Sequence, residues 1–322
     1  MRSIEGKNVL VTGGAGFIGS HLCDELIARG AKKVVCVDNF FLGKMENIAE
    51  AMEHDNFVLY RDDCRQFGVM QSIIEKEEIE VVFNMATIAL NYSFFNPFDA
   101  YMVNVEIANT LLELLKVGAY KTLIHTSSSE AYGTAQYSPM DENHPTDPTT
   151  PYAAGKAAAD IMVHSFSKVL PLDISIIRPF NNYGPRQNAE GPLAGIIPVT
   201  AKRIKNGGKP MVQGDGEQTR DFIFVKDTVR GLLLAYENEA SRGQIINLGT
   251  GYDMTMNSLL QGICDYMGYT GEWDHQEART SDVRNLCANI DKARKVLGFE
   301  PQMSFEEGIK VTLDWYKNNS VI

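Results

Sequence analysis

The chain has 322 residues, of which 44% are hydrophobic and 22% charged, and 30 basic against 41 acidic side chains give a formal charge of −11. This composition excludes a disordered or collagen-like chain, and the negative charge argues against a nucleic-acid-binding surface. The length suggests two domains, or one large α/β unit with an appendage.

No segment has the uninterrupted apolar character of a signal peptide or a membrane span, so we expect a cytoplasmic protein without a membrane partner. The cysteines are odd in number and widely spaced, which predicts buried free thiols and no metal site. They are Cys23, Cys36, Cys64, Cys264 and Cys287.

The first half of the chain alternates between β-branched runs and helical patterns. Strands are predicted at 7–11, 33–37, 57–60, 81–83, 121–125 and 174–177. Helices are predicted from the turn after the first strand to about Arg29, and at 69–76, 98–117 and 152–169. This alternation, with strands that are apolar throughout, predicts an α/β fold with a Rossmann-type, doubly wound parallel sheet.

After Arg178 the alternation stops, and residues 181–210 are rich in Gly, Pro and Asn. Helices are predicted at 227–236, 256–267 and 305–317, and a strand at 245–248. We therefore expect a first domain over residues 1–178. Residues 179–322 should form a smaller, irregular α/β region that closes over a ligand, with some elements returning to the first domain.

Three glycines, Gly13, Gly16 and Gly19, stand between the first strand and the first helix. A tight turn of this kind lets a pyrophosphate approach backbone N–H groups at a helix N-terminus. Asp38 ends the second strand, where its carboxylate can accept hydrogen bonds from ribose hydroxyls and would repel a 2′-phosphate. The pattern predicts NAD in preference to NADP. The other predicted cofactor contacts are Phe17, Ile18, Asn39, Asp63, Cys64, Met85, Ala86, Thr87, Asn104, Thr126 and Pro179.

Tyr152 and Lys156 lie four residues apart, on one face of a predicted helix. A tyrosine is a poor base at neutral pH unless nearby positive charge stabilises its phenolate, and Lys156 and the nicotinamide of NAD⁺ could both do so. The serine-rich run that contains Ser128 follows a predicted strand of the same sheet, so it should face the ligand crevice.

These motifs, with Arg-Pro-Phe-Asn-Asn-Tyr-Gly-Pro-Arg at 178–186 and Gly-Asp-Gly-Glu-Gln-Thr-Arg-Asp-Phe at 214–222, resemble the extended short-chain dehydrogenase/reductases that act on nucleotide sugars. The likeness covers nearly the whole chain. It implies a nucleoside-diphosphate sugar as substrate, NAD as cofactor and a homodimer formed through a four-helix bundle.

The resemblance also implies residue roles. Ser128 would hydrogen-bond the sugar 4-hydroxyl, Tyr152 would take its proton, and Lys156 would hold the nicotinamide ribose and lower the pKa of the tyrosine. Further substrate contacts are expected at Asn181, Arg186, Arg220 and Arg284, with Arg220 and Arg284 as clamps for the diphosphate. Each of these two arginines could instead form a surface ion pair.

Members of this family share oxidation at C4 and then diverge. Glu130 occupies the position where similar 4,6-dehydratases carry the base that removes the C5 proton, and we therefore expect a 4,6-dehydratase. Ser129 departs from the aspartic acid that dTDP-glucose 4,6-dehydratases carry, so a water or Glu130 would have to protonate the leaving hydroxyl. A 4-epimerase, a UDP-glucuronate-type decarboxylase and an NAD-binding regulator without activity remain as alternatives. The nucleotide base and the sugar are not determined by the sequence.

Overall fold

The computed structural model describes residues 2–278 and 283–322. The first half contains β1 (Asn8–Thr12), α1 (Phe17–Ala28), β2 (Lys33–Val37), β3 (Phe57–Tyr60), α2 (Phe67–Lys76), β4 (Val81–Asn84), α3 (Pro97–Lys116), β5 (Thr122–Thr126), α4 (Pro151–Val169) and β6 (Asp173–Pro179). The second half contains β7 (Asn181–Tyr183), α5 (Ile196–Lys205), β8 (Met211–Gln213), β9 (Thr219–Arg220), β10 (Phe222–Phe224), α6 (Val225–Glu237), β11 (Ile245–Leu248), β12 (Met254–Thr255), α7 (Met256–Met267), β13 (Asp274–Gln276), β14 (Asn285–Leu286), α8 (Asp291–Leu297) and α9 (Phe305–Asn318).

Seven parallel strands form the central sheet in the order β11-β6-β5-β4-β1-β2-β3. The chain runs from β1 outward to β3, then returns to β4 and runs outward in the opposite direction. The strand order thus reverses between β1 and β4, which opens a crevice at the carboxyl ends of the strands. The predicted Rossmann-type, doubly wound parallel sheet is confirmed.

Helices cover both faces of the sheet, so its apolar strands are buried on each side. Leu22 and Leu26 of α1 pack with Leu232 of α6 in one core. Leu111 of α3 packs with Val163 of α4, and with α2, in the core on the opposite face. This burial explains why the strands read as continuous apolar runs rather than as alternating patterns.

The C-terminal region has a third core, which α5, α7 and α9 build around short strand pairs. β11 returns to the central sheet beside β6, so the C-terminal half contributes a strand to that sheet. The sequence did not predict α5, α8 or the strands β7 to β10 and β12 to β14. Each of these strands has only two or three residues, too few for a periodic pattern, and α5 follows a segment rich in Gly and Pro.

All five cysteines are buried and free of disulfides. Within the two described ranges, no helix combines the length and the apolar character needed to cross a bilayer.

Candidate active site

A cavity of about 530 Å³ lies at the carboxyl ends of the strands on both sides of the β1–β4 crevice and extends to residues 186–195. The structure brings most of the residues singled out from the sequence into its wall. They are Gly13, Gly16, Phe17, Ile18, Gly19, Asp38, Asn39, Asp63, Cys64, Met85, Ala86, Thr87, Thr126, Ser128, Ser129, Glu130, Tyr152, Lys156, Pro179, Asn181 and Arg186.

The glycine-rich turn is packed so tightly that side chains are excluded. Gly13 has a φ of 67°, and a Cβ there would lie 2.8 Å from the Cα of Ala86. A Cβ on Gly19 would lie 2.2 Å from the carbonyl oxygen of Gly13. The turn therefore brings backbone N–H groups and the N-terminus of α1 to the cavity, an arrangement that fits a pyrophosphate.

Asp38 is 6% exposed at the end of β2, with one carboxylate oxygen accepting from the N–H of Ala15 at 3.0 Å and the other from the N–H of Phe40 at 2.8 Å. Burial raises the pKa of Asp38. These two bonds fix the carboxylate against the glycine-rich turn and leave lone pairs that fit the hydroxyls of a ribose.

Asp63 occupies the far end of the same wall, where Arg65 holds it in place. Arg65 Nε lies 3.1 and 3.0 Å from the two carboxylate oxygens, and Nη1 also reaches Asp99 at 3.2 Å. This cluster borders the part of the cavity where the sequence predicts the adenine. The turn, Asp38 and this border together fit a dinucleotide.

Ser128 lies directly after β5 and caps the short 3-10 turn Ser129–Tyr132 by accepting a hydrogen bond from the N–H of Glu130 at 3.3 Å. The cap turns the chain sharply at the strand end. It thereby places Ser128, Ser129 and Glu130 in the cavity wall in succession.

Tyr152 lies in the first turn of α4, where its N–H donates to Ser93 Oγ at 3.0 Å. Burial raises the pKa of Tyr152 to about 12, hydrogen bonds with Ser128 and Thr87 counteract that rise, and the charges of Glu130 and Asp160 add to it. The phenol is therefore protonated at neutral pH, and it needs added positive charge to act as a base.

Lys156 is 3% exposed, one helical turn beyond Tyr152, and its Nζ donates to the carbonyl oxygen of Thr126 at 3.0 Å. Burial lowers the pKa of Lys156 to about 8, and the charge of Asp160 counteracts this effect. The ammonium form thus predominates at neutral pH, but only by a modest margin.

Asn104, predicted as a cofactor contact, lies behind the cavity wall. Its Oδ1 accepts from Thr87 Oγ1 at 2.7 Å, and its Nδ2 donates to the carbonyl oxygen of Ala100. The side chain is 3% exposed and acts on the cavity through Thr87.

The three predicted arginines differ in their placement. Arg186 reaches the wall, but Nη1 lies 2.6 Å from Asp24 Oδ2. Arg220 and Arg284 are not in the cavity wall that the described residues form. Arg220 Nη1 donates to the carbonyl oxygen of Thr219, and Arg284 makes an exposed two-point contact with Asp215 at 2.8 and 3.0 Å. The structure thus gives Arg284 the surface ion pair that the sequence left open, and the diphosphate roles of both arginines stay predictions.

Several wall residues were missed from the sequence, chiefly Ile88, Leu90 and Asn91 after β4 and the amides Asn182, Gln187 and Asn188. The first group follows the carboxyl end of a central strand, so strand order alone could have identified it. The amides lie in the irregular segment after β7, where no local pattern indicated which side chains face inward.

Comparison with known proteins places this geometry among characterised enzymes. A family model described as GDP-mannose 4,6 dehydratase matches residues 10–312. The UDP-glucose 4-epimerase of Mycolicibacterium smegmatis is 35% identical over 97% of this chain and 99% of its own length.

Two solved structures superpose over nearly the full chain. The UDP-glucose 4-epimerase of Thermotoga maritima, solved with UDP-glucose, has a TM-score of 0.90 and 34% identity over 97% of this chain and 99% of that one. The dTDP-glucose 4,6-dehydratase of Streptomyces venezuelae, solved with NAD, has a TM-score of 0.91 and 28% identity over 97% of each chain.

Proposed function

This chain belongs to the family of NAD-dependent nucleotide-sugar epimerases and dehydratases within the extended short-chain dehydrogenase/reductases, and we propose that it is a 4,6-dehydratase. One observation carries the choice of reaction. Glu130 lies in the cavity wall beside Ser128, and its charge acts on the Tyr152 phenol. A carboxylate at this place can serve as the base that a dehydration requires after oxidation at C4.

When bound, NAD would supply the hydride acceptor for oxidation at C4 and the hydride donor for reduction at C6. Tyr152 takes the proton of the 4-hydroxyl, and Ser128 holds that hydroxyl by a hydrogen bond. Lys156 supplies positive charge that, together with the nicotinamide cation, opposes the effect of burial on the Tyr152 pKa.

The 4-ketone makes the C5 proton acidic enough for Glu130 to remove. Water then leaves from C6 with a proton that Glu130 returns, because a serine hydroxyl such as that of Ser129 has too high a pKa to serve as the acid. Reduction at C6, together with protonation at C5 by a proton from solvent, would complete the reaction, and the proton that Tyr152 took from the 4-hydroxyl would return to solvent. The product is a 4-keto-6-deoxy sugar, lighter than the substrate by one water.

We propose a nucleoside-diphosphate sugar as substrate, entering between the catalytic end of the cavity and residues 186–195. Four amide side chains lie on this side of the wall: Asn181, Asn182, Gln187 and Asn188. The buried oxygens of Asn181 and Gln187 have no hydrogen-bond partner in the described structure. Hydroxyl groups of a sugar or a ribose would satisfy them.

A 4-epimerase is the second candidate, favoured by the 34–35% identity to two UDP-glucose 4-epimerases. Epimerisation needs Ser128, Tyr152 and Lys156, all of which are present. It has no step that uses a carboxylate at Glu130.

The test is to incubate the purified protein with UDP-, GDP-, dTDP- and CDP-linked hexoses, with and without an N-acetyl group, and to follow the product mass. A product lighter by one water supports the dehydratase. An isomer of unchanged mass supports the epimerase, and loss of carbon dioxide from a uronate supports a decarboxylase. Absence of conversion across the whole panel would instead favour the NAD-binding regulator.

We also propose a homodimer formed through α3 and α4, which pack along each other. Phe98 on α3 is 77% exposed, and Ile161 on α4 is 66% exposed. Large apolar side chains on two neighbouring helices favour burial against a second copy as a four-helix bundle. Sedimentation at micromolar concentration should give a dimer for the wild type and a monomer for Phe98→Glu/Ile161→Glu. The control Tyr252→Glu, which changes an exposed residue outside these helices, should remain a dimer. A monomeric wild type would refute the dimer.

A further inference from the structure

Asp160 continues the catalytic face of α4, four residues after Lys156 and eight after Tyr152. It is 1% exposed and outside the cavity wall. A buried carboxylate is costly unless it is paired, so its surroundings indicate what it does.

One carboxylate oxygen of Asp160 joins the ends of two central strands. This Oδ2 accepts from Ser127 Oγ at 2.5 Å, after β5, and from Arg178 Nε at 2.8 Å, in β6. Ser127 lies between Thr126, whose carbonyl oxygen accepts from Lys156, and Ser128 in the cavity wall. Asp160 therefore ties α4 to the segment that carries Ser128.

The other oxygen faces His125 Nε2 at 3.5 Å. Thr12 Oγ1 donates to Asn84 Oδ1 at 2.8 Å, and Asn84 Nδ2 donates to His125 Nδ1 at 3.0 Å. Because Nδ1 accepts this hydrogen bond, the proton of the neutral ring is on Nε2, on the side of Asp160. Burial lowers the pKa of His125, so the ring is neutral at pH 7. Buried hydrogen bonds thus run from Thr12, just before the glycine-rich turn, to His125. The Nε2 of His125 lies near Asp160 Oδ1 without a hydrogen bond between the two atoms in the described structure.

The charge of Asp160 acts on Lys156. Burial would raise the pKa of Asp160, but Arg178, His125 and Ser127 together bring it below its usual value, so the group is a carboxylate. Among the groups that shift the pKa of Lys156, this carboxylate is the charge that opposes burial.

Other ionisable groups surround this part of α4. Glu130 and Tyr152 face the cavity, and Arg178 and His125 lie on the sheet side. The charge of Asp160 also raises the pKa of Tyr152 and acts on His164, one turn further along α4. On α3, the acidic groups Asp99 and Glu106 pair with Arg65.

We propose that Asp160 is a positioning residue for the reaction, which holds the Ser127-Ser128 segment against α4 and supplies the negative charge that keeps Lys156 an ammonium ion. This role of Asp160 is the same whether the enzyme is a dehydratase or an epimerase, because both reactions begin with oxidation at C4.

The test compares Asp160→Asn with Ser127→Ala, a control that removes one hydrogen bond to Asp160 but keeps its charge. In the protein as purified, ¹³C-labelled lysine Cε signals are titrated by NMR, and Lys156 is assigned from its absence in Lys156→Arg. Asp160→Asn should lower the titration midpoint of Lys156 by about one pH unit or more. The alkaline limb of the pH profile for C4 oxidation should move by the same amount. Ser127→Ala should slow turnover about tenfold and leave the midpoint in place.

An unchanged midpoint in folded Asp160→Asn, or an equal shift in Ser127→Ala, would overturn the proposal. If Asp160→Asn does not fold because it leaves the buried Arg178 without a carboxylate, Asp160→Asn/Arg178→Gln removes both charges and permits the same titration. If neither variant folds, Asp160 is a structural residue only, and the positioning role is rejected.

Discussion

Replacing Glu130 with glutamine removes a carboxylate from the cavity wall and keeps the shape of the side chain. The backbone N–H that donates to Ser128 Oγ is unaffected, so the cap that places Ser128 in the wall should persist. The charge of Glu130 raises the pKa of Tyr152, and its removal should leave C4 oxidation intact or slightly easier.

Removal of the C5 proton should slow by roughly 10²–10⁴-fold, equivalent to about 3–5 kcal/mol of transition-state stabilisation. Oxidation would then outrun dehydration. Bound NADH should accumulate, and stopped-flow absorbance in the near ultraviolet would detect it. Solvent deuterium should enter C5 more slowly by the same factor.

Two further variants complete this experiment. Tyr152→Phe should give no NADH, because it blocks the first step, and Glu306→Gln, a change at an exposed glutamate of α9, should behave as the wild type. Turnover of Glu130→Gln at the wild-type rate would make the carboxylate structural, and the 4-epimerase would then become the better assignment.

Two other substitutions test the cofactor turn and the buried lysine. Gly19→Ala places a Cβ 2.2 Å from the carbonyl oxygen of Gly13 and should abolish NAD retention during purification. The control Gly68→Ala, whose Cβ would have no atom within 4 Å, should retain NAD. NAD bound to Gly19→Ala at the wild-type level would contradict the role of the turn. Lys156→Met should abolish turnover. Relief of the cost of burying a charged lysine at pH 7, less about 1 kcal/mol for the lost hydrogen bond to Thr126, should stabilise the fold by about 2 kcal/mol. Because burial lowers the pKa of Lys156 from 10.5 to about 8, the unfolded chain binds more protons between these values, and wild-type stability should rise with pH there. Denaturant unfolding across this window should show a smaller rise for Lys156→Met, and equal slopes would argue against the shifted pKa.

The sequence predicted the central sheet because most residues of its strands are apolar and because a helix follows β1, β3, β4 and β5 along the chain. The same topology explains why Asp38, Thr87 and Ser128, which follow three different strands, lie in the wall of one cavity although they are distant in the chain.

Prediction was weaker where loops decide which side chains face inward. Arg220 and Arg284 lie on strands of two residues each, and nothing in their local sequence specifies the direction of their side chains. Asp160 was missed for another reason. A single aspartate in a helical pattern is read as solvent-facing, and only the packing of α4 on β5 and β6 reveals that it is buried.

Overall identity is a weak guide to the reaction in this family. This chain is 35% identical to an epimerase and 28% identical to a dehydratase, and both of those reactions begin with oxidation at C4. The reactions diverge at C5 and C6, where a few side chains decide the outcome. A carboxylate beside Tyr152 makes the phenolate harder to form, because two negative charges must then lie close together. A 4-epimerase would bear that cost without benefit, whereas a dehydratase would use the carboxylate in its next step. This contrast supports the proposed dehydratase, although the identity to the epimerase is higher.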